Sequence, residues 1–234
     1  MTNRFDINAL KGGFVVSCQA YPGEALYGRG IMPRLAMAAV EGGAIAIRAN
    51  SPQDIAEIKQ AVRVPIIGLW KRKYDDSDIY ITPTLSDVMA VIDAGADIAA
   101  LDATLRDRPD KQQLKDIVNR VKAETGCLTM ADVSTLEEGV NAAELGFDVV
   151  STTLSGYTPY SPQIKEPDYG LIESLSREVS IPVFAEGRIA TPEQARRCLD
   201  CGAFAVVVGT AITRPHVMTR RFVEEIELSK EERA

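Results

Sequence analysis

Apolar residues in this chain gather into eight short, nearly continuous runs, at residues 14–19, 44–49, 65–71, 97–103, 127–133, 147–154, 182–187 and 203–209. Runs of that length without alternation fit parallel strands covered on both faces, by helices on one side and a packed interior on the other. The intervals carry the three-to-four-residue spacing of amphipathic helices and predict helices over 31–41, 51–62, 84–94, 110–124, 135–145, 167–179, 191–201 and about 215–228. Ser51-Pro52 and Thr191-Pro192 each set a capping hydroxyl before a proline at the first helical position, where the missing N–H costs nothing. Ser134 or Thr135, followed by Glu137 and Glu138, places acids on the positive end of the next helix.

A weak internal repeat says how these units are arranged. Gly43, Gly95, Gly146 and Gly202 each follow a helix and open an even-numbered strand, at gaps of 52, 51 and 56 residues, and glycine there suits a left-handed helix C-cap. Four evenly spaced double units close naturally into a barrel, whereas an open doubly wound sheet needs no such regularity. The expected fold is α/β: a single (β/α)8 TIM barrel spanning 1–234, with a short N-terminal helical segment. The longest irregular stretches, 72–83 and 155–167, follow the third and sixth strands, on the side where barrel active-site loops lie.

Charge and composition narrow the function. A net charge of −7 over 234 residues argues against nucleic acid, whose phosphate backbone needs a basic face, but leaves room for one small phosphate held by local dipoles and an arginine. Cys18, Cys127, Cys198 and Cys201 lack zinc-type pairing, and the C-x-x-C at 198–201 ends a helix instead of opening one, so packing is the plainer reading. Residues 1–13 lack the apolar core of a signal peptide and no run is long enough to span a membrane, which implies a reducing, cytoplasmic setting and no membrane partner.

The informative exceptions are polar residues at strand ends: Gln19, Arg48, Lys71, Asp102, Asp132 and Glu186. A charge buried without a partner is costly, so these must meet solvent or converge on one another and a ligand. Parity favours convergence: Lys71 shares a face with Ile67 and Leu69, Asp132 with Leu128 and Met130, and Glu186 with Phe184. The seventh and eighth strands stop on Gly187 and Gly209, two bare backbones side by side at the end of the chain, the arrangement that cradles a phosphate in such barrels. Bland readings compete. Lys71 lies in a basic run with Arg72 and Lys73, Asp102 and Asp132 could cap helices, Arg48 could form an outward ion pair, and His216, the only histidine, reads as surface. No H-E-x-x-H, G-x-S-x-G or early G-x-G-x-x-G occurs, which weakens metalloprotease, serine-hydrolase and dinucleotide readings.

In order along the chain, Ser17-Cys18-Gln19, Ile47-Arg48-Ala49-Asn50, Ile67-Gly68 with Lys71-Arg72, Leu101-Asp102-Ala103-Thr104, Met130-Ala131-Asp132, Thr152-Thr153-Leu154-Ser155-Gly156-Tyr157, Ala185-Glu186-Gly187-Arg188 and Gly209-Thr210-Ala211-Ile212-Thr213-Arg214-Pro215 resemble the N-acylglucosamine-6-phosphate 2-epimerase family of sialic acid catabolism. The similarity runs from about residue 13 to 222; Trp70 and the segment 21–30 depart from it, and neither is expected to touch the polar set. The resemblance implies a barrel that interconverts N-acetylmannosamine 6-phosphate and N-acetylglucosamine 6-phosphate by inverting C2, with no metal or cofactor, as a homodimer. It implies Lys71 and Glu186 as the catalytic pair, Gln19, Arg48, Asp132 and Thr153 on the sugar, and Arg214 with Gly187, Arg188, Gly209 and Thr210 on the phosphate. Chemically, a proton must leave C2 beside the open-chain aldehyde and return to the opposite face. Lys71 is the candidate base, kept partly neutral by desolvation or a neighbouring cation such as Arg48 or Arg72; Arg48 would steady the enolate oxygen, Glu186 donate the proton or anchor a hydroxyl, and Asp132 orient Lys71 or the sugar, with one residue or two serving the two faces. Two alternatives stay open: a lyase in which Lys71 forms a Schiff base, and a sugar-phosphate sensor that keeps only the cradle.

Overall fold

The computed structural model describes residues 5–231. Eight parallel strands, β1 (Phe14–Cys18), β2 (Ala46–Asn50), β3 (Ile66–Leu69), β4 (Ile98–Asp102), β5 (Leu128–Asp132), β6 (Val149–Ser151), β7 (Val183–Glu186) and β8 (Ala205–Val208), close into a barrel in sequence order. Closure is between β8 and β1, with Val206 beside Phe14 and Val208 beside Val16. The surrounding helices are α1 (Ile31–Glu41), α2 (Pro52–Ala61), α3 (Leu85–Asp93), α4 (Leu114–Glu124), α5 (Leu136–Leu145), α6 (Tyr169–Glu178), α7 (Pro192–Asp200), the short α8 (Thr210–Thr213) and α9 (Pro215–Glu231). Among the described residues this is the expected (β/α)8 barrel. Residues 1–4 of the N-terminal stretch lie outside them, and its helical segment is a single 3-10 turn, Ile7–Leu10, whose Leu10 is buried beneath the barrel.

Alternation along each strand divides the apolar residues into two cores. Val15, Ala46, Ile67, Leu69, Leu128, Met130, Phe184 and Val207 fill the barrel, while Ile47, Ile66, Ala99, Leu101, Ala131 and Val150 face the helices. The local start and stop signals act as anticipated. Ser51 and Thr191 cap α2 and α7 ahead of their prolines, and Thr135 forms a reciprocal capping box with Glu138 on α5. Gly43, Gly95, Gly146 and Gly202 take φ of 100°, 104°, 87° and 97°, a region costly for any residue with a Cβ.

Three predicted boundaries shift. The 65–71 run stops pairing at Leu69, because the Trp70 N–H donates to the Thr82 hydroxyl and the Lys71 N–H to Asn50 Oδ1, turning the chain into a hairpin where Lys71 bridges Ile81. The 147–154 strand shortens to three residues as the chain turns through a Ser155 N–H bond to Thr152 O. The 110–124 helix breaks near its start, where Asp110 sits at φ 53°, and α4 begins at Leu114. The last predicted helix is α9, preceded by the short α8 that the sequence did not announce, and α9 leaves Phe222 69% exposed, with Val223 and Leu228 also exposed. The thiols of Cys18 and Cys198 are each pushed up to about 12, chiefly by burial, which agrees with packing roles.

Candidate active site

The inward faces of the strands end, at their C-terminal rims, on a cavity of about 330 Å3, within the range of small-ligand sites. Gln19, Arg48, Lys71, Thr153, Glu186, Gly187, Arg188, Gly209, Thr210 and Arg214 all line it. The geometry follows from parity: Arg48 is two residues beyond Ala46 on β2, and Glu186 two beyond Phe184 on β7, so both polar groups roof columns of packed apolar side chains.

Asp132 is the exception among the residues expected at the sugar. It is fully buried and absent from the cavity wall, lying behind Arg48, which it grips through both guanidinium nitrogens at 3.1 and 2.5 Å. Arg48 is 1% exposed and also meets Glu186 Oε2 at 3.2 Å. Burial opposes its charge, but Asp132 and then Glu186 outweigh that, so the guanidinium stays charged above its usual range. Glu186 moves the other way: burial raises its carboxyl above the ordinary range and Asp132 adds to the rise, against the pull of Arg48, Lys71 and Thr153. Thr153 Oγ1 lies 2.8 Å from Asp132 Oδ1 and 3.1 Å from Glu186 Oε2. A hydroxyl has one proton to give, so Thr153 satisfies one of the two carboxyls as donor and the other contact becomes a hydrogen bond only when a carboxyl carries a proton. Two carboxyls thus crowd one guanidinium, and the raised Glu186 is the one suited to serve as proton donor.

Across the cavity, the Lys71 ammonium contacts the Tyr21 hydroxyl at 2.6 Å and lies 5.0 Å from the centre of its ring. Arg72, one of the two cations thought to neighbour Lys71, is turned away: it pairs with the buried Asp87 at the start of α3 at 2.8 Å. Gln19, which lines the cavity, donates to Ser17 Oγ at 2.8 Å, and its Oε1 is buried with no hydrogen-bond partner among the described residues. At the far end the backbones after β7 and β8 meet. Gly187 takes φ 110°, and a Cβ on Gly209 would lie 3.2 Å from the Cβ of Ser17. Arg214 comes from the turn after α8 and pairs with Glu24. Arg188 lines the cavity, but its guanidinium is committed to the carbonyls of Ser155 and Glu166, which leaves its backbone to face a ligand.

A family model described as "Putative N-acetylmannosamine-6-phosphate epimerase" matches residues 32–228. A protein of Caldanaerobacter subterraneus subsp. tengcongensis called "Putative N-acetylmannosamine-6-phosphate 2-epimerase" is 55% identical over 218 residues, 93% of this chain and 92% of that one. One of the same name from Clostridium perfringens strain SM101 is 53% identical over 93% of this chain and 98% of its own. The solved structure of the N-acetylmannosamine-6-phosphate 2-epimerase from Clostridium perfringens superposes with a TM-score of 0.91 at 52% identity, covering 93% of this chain and 94% of that one. The chain belongs to the N-acetylmannosamine-6-phosphate epimerase family. The thiamine phosphate pyrophosphorylase of Pyrococcus furiosus, at a TM-score of 0.58 and 19% identity, shares the barrel alone.

In this member of the epimerase family, Tyr21, Glu24, Tyr80 and Tyr157 also stand at or beside the site. The segment 21–30 was expected to stay clear of the polar set; instead Tyr21 touches Lys71 and Glu24 touches Arg214. The available signal was position: the segment follows a strand C-terminus, the rim where barrel ligands bind. Trp70 stays apart, stacked by Arg72 at 4.7 Å.

Proposed function

We propose that this protein inverts C2 of N-acetylmannosamine 6-phosphate to give N-acetylglucosamine 6-phosphate, by removing the C2 proton of the open-chain sugar and returning a proton to the other face. The observation that carries this reading is Lys71 and Glu186 facing one cavity, the Glu186 carboxyl raised by burial, with Arg48 between two carboxyls. Lys71 takes the C2 proton, Arg48 steadies the negative charge that develops on the carbonyl oxygen, and Glu186 returns a proton. Gln19 and Thr153 orient the sugar, and Asp132 acts through Arg48 and Thr153 instead of touching substrate. Arg214 and the backbones of Gly187, Arg188, Gly209 and Thr210 grip the phosphate. An NMR time course with N-acetylmannosamine 6-phosphate in deuterated water tests this: the second epimer should accumulate with deuterium at C2. A protein that leaves C2–H untouched would end the proposal.

Protonation of Glu186 gives a second test. Its carboxyl is raised by burial, so the stability it contributes is present below the ordinary carboxyl range and lost as pH rises through the raised value. Glu186→Gln mimics the protonated form. The variant should melt progressively higher than the parent as pH goes from 4 to 8, while its epimerisation falls by about a hundredfold or more.

One barrel domain accounts for the chain in this reading, and the acting form is a homodimer in the cytoplasm. Cys18 and Cys198, packed as buried thiols, support a reducing compartment. The exposed Phe222, Val223 and Leu228 on α9 support an intersubunit face. Light scattering should give twice the 25.4 kDa chain mass, and Phe222→Glu should return it toward the monomer.

A further inference from the structure

Four side chains run in an unbroken line from the phosphate end of the cavity to the reacting end. The Arg214 guanidinium pairs with Glu24 Oε1; Glu24 Oε2 accepts the backbone N–H of Tyr21 at 3.1 Å; and the Tyr21 hydroxyl meets Lys71 Nζ at 2.6 Å. The Tyr21 ring also lies between the two cations, 5.0 Å from Lys71 and 5.3 Å from Arg214, so its placement answers to both. Each end of the line occupies a group that the reaction needs free. Glu24 sets a carboxylate where a phosphate would sit on Arg214, and Tyr21 engages the amine that must reach C2.

We propose that Glu24 is a built-in anion at the phosphate end and that Tyr21 is the link: the sugar's phosphate takes Arg214 from Glu24, Tyr21 loses its backbone anchor, and Lys71 is released toward C2. Glu24 and Tyr21 are positioning residues, and the inference rests on the reading of the site as one for a sugar phosphate. Two anions cannot share one guanidinium without repulsion, and a phosphate dianion with three acceptor oxygens outcompetes a single carboxylate. The displaced carboxylate has a second nitrogen close by, since His216 Nε2 lies 3.5 Å from Glu24 Oε1. The arrangement converts binding energy from a remote, unreactive part of the substrate into activation at the reacting carbon, so a sugar without phosphate loses turnover as well as affinity.

The test uses the whole protein and N-acetylmannosamine lacking phosphate, with C2 exchange in deuterated water followed with and without inorganic phosphate. In the parent protein, inorganic phosphate should accelerate exchange about tenfold. Glu24→Gln, which keeps shape and removes charge, should exchange the bare sugar about tenfold faster than the parent, gain less than about twofold from phosphate, and bind inorganic phosphate about tenfold more tightly by calorimetry. Tyr21→Phe should likewise lose the response to phosphate while keeping the parent's phosphate affinity, a split that a purely structural tyrosine would not produce. Absence of phosphate activation in the parent, or an unchanged phosphate affinity in Glu24→Gln, overturns the coupling. Failure of the parent to exchange C2 of the phosphorylated sugar would instead remove the epimerase reading, and the calorimetric comparison would still decide whether Glu24 competes with phosphate.

Discussion

Lys71→Ala should lose C2 exchange with deuterated water by about a thousandfold or more, the contribution of a positioned base whose replacement has no group in reach to take the proton. Binding should hardly move. In the proposed site Arg214 and the loops after β7 and β8 are assigned to the phosphate and Gln19 and Thr153 to the sugar, and all of them line the cavity separately from the lysine side chain. The dissociation constant for N-acetylmannosamine 6-phosphate should therefore stay within about threefold of the parent's while the rate collapses, the pattern of an interaction made only in the transition state. Near-parental exchange in this variant would take Lys71 out of the chemistry. Borohydride treatment of the parent with substrate separates proton transfer from the lyase alternative, because only an imine leaves a reduced adduct on Lys71.

Asp132→Ala should be the most damaging single change to stability. It strips the bidentate partner from an arginine that is 1% exposed, and breaking a buried pair from one side costs about 3–5 kcal/mol. For a chain of this size each kcal/mol is worth roughly 2–4 °C, so a fall in melting temperature of about 10 °C is expected. Asp132→Asn separates charge from shape. The amide still fills the space beside Arg48, but Glu186 no longer faces a like charge, and the guanidinium turns more fully toward it. The variant should be milder in stability yet lose about a hundredfold in turnover, because Arg48 unopposed by Asp132 draws the Glu186 carboxyl down and weakens it as a proton donor. Equal loss of stability in both variants would mean that the lost charge opposite Arg48, and not the cavity left at residue 132, dominates.

How far the sequence carried each conclusion depended on periodicity. A side chain on a strand has two faces to choose from, so the apolar runs with charges at their ends placed Glu186 on the inner face at the rim of one barrel, while Arg48, which could have paired outward, is seen to join it only in the structure. Parity reports a face and not a depth. Asp132 shares that face, but it sits one layer lower with Arg48 over it, so it acts through the arginine. Arg72 is adjacent to Lys71 in the chain and was paired with it on that ground; the hairpin after β3 sends the two side chains to different partners. Residues 21–30 have no repeating pattern at all. Nothing local requires Glu24 to find Arg214, 190 positions away, or Tyr21 to find Lys71, and such contacts emerge only once the barrel has closed.

The rim is not symmetric. Arg188 ties the segment after β6 down through Ser155 and Glu166, and its guanidinium fills the space beside Gly156, where a Cβ would come within 2.1 Å of Nη1. That side of the mouth is therefore a fixed wall that admits no bulkier residue at 156. The opposite bank is tied down by different means: the loop after β1 is held through Glu24 on Arg214 and Tyr21 on Lys71, so its seat depends on the same side chains that face the ligand.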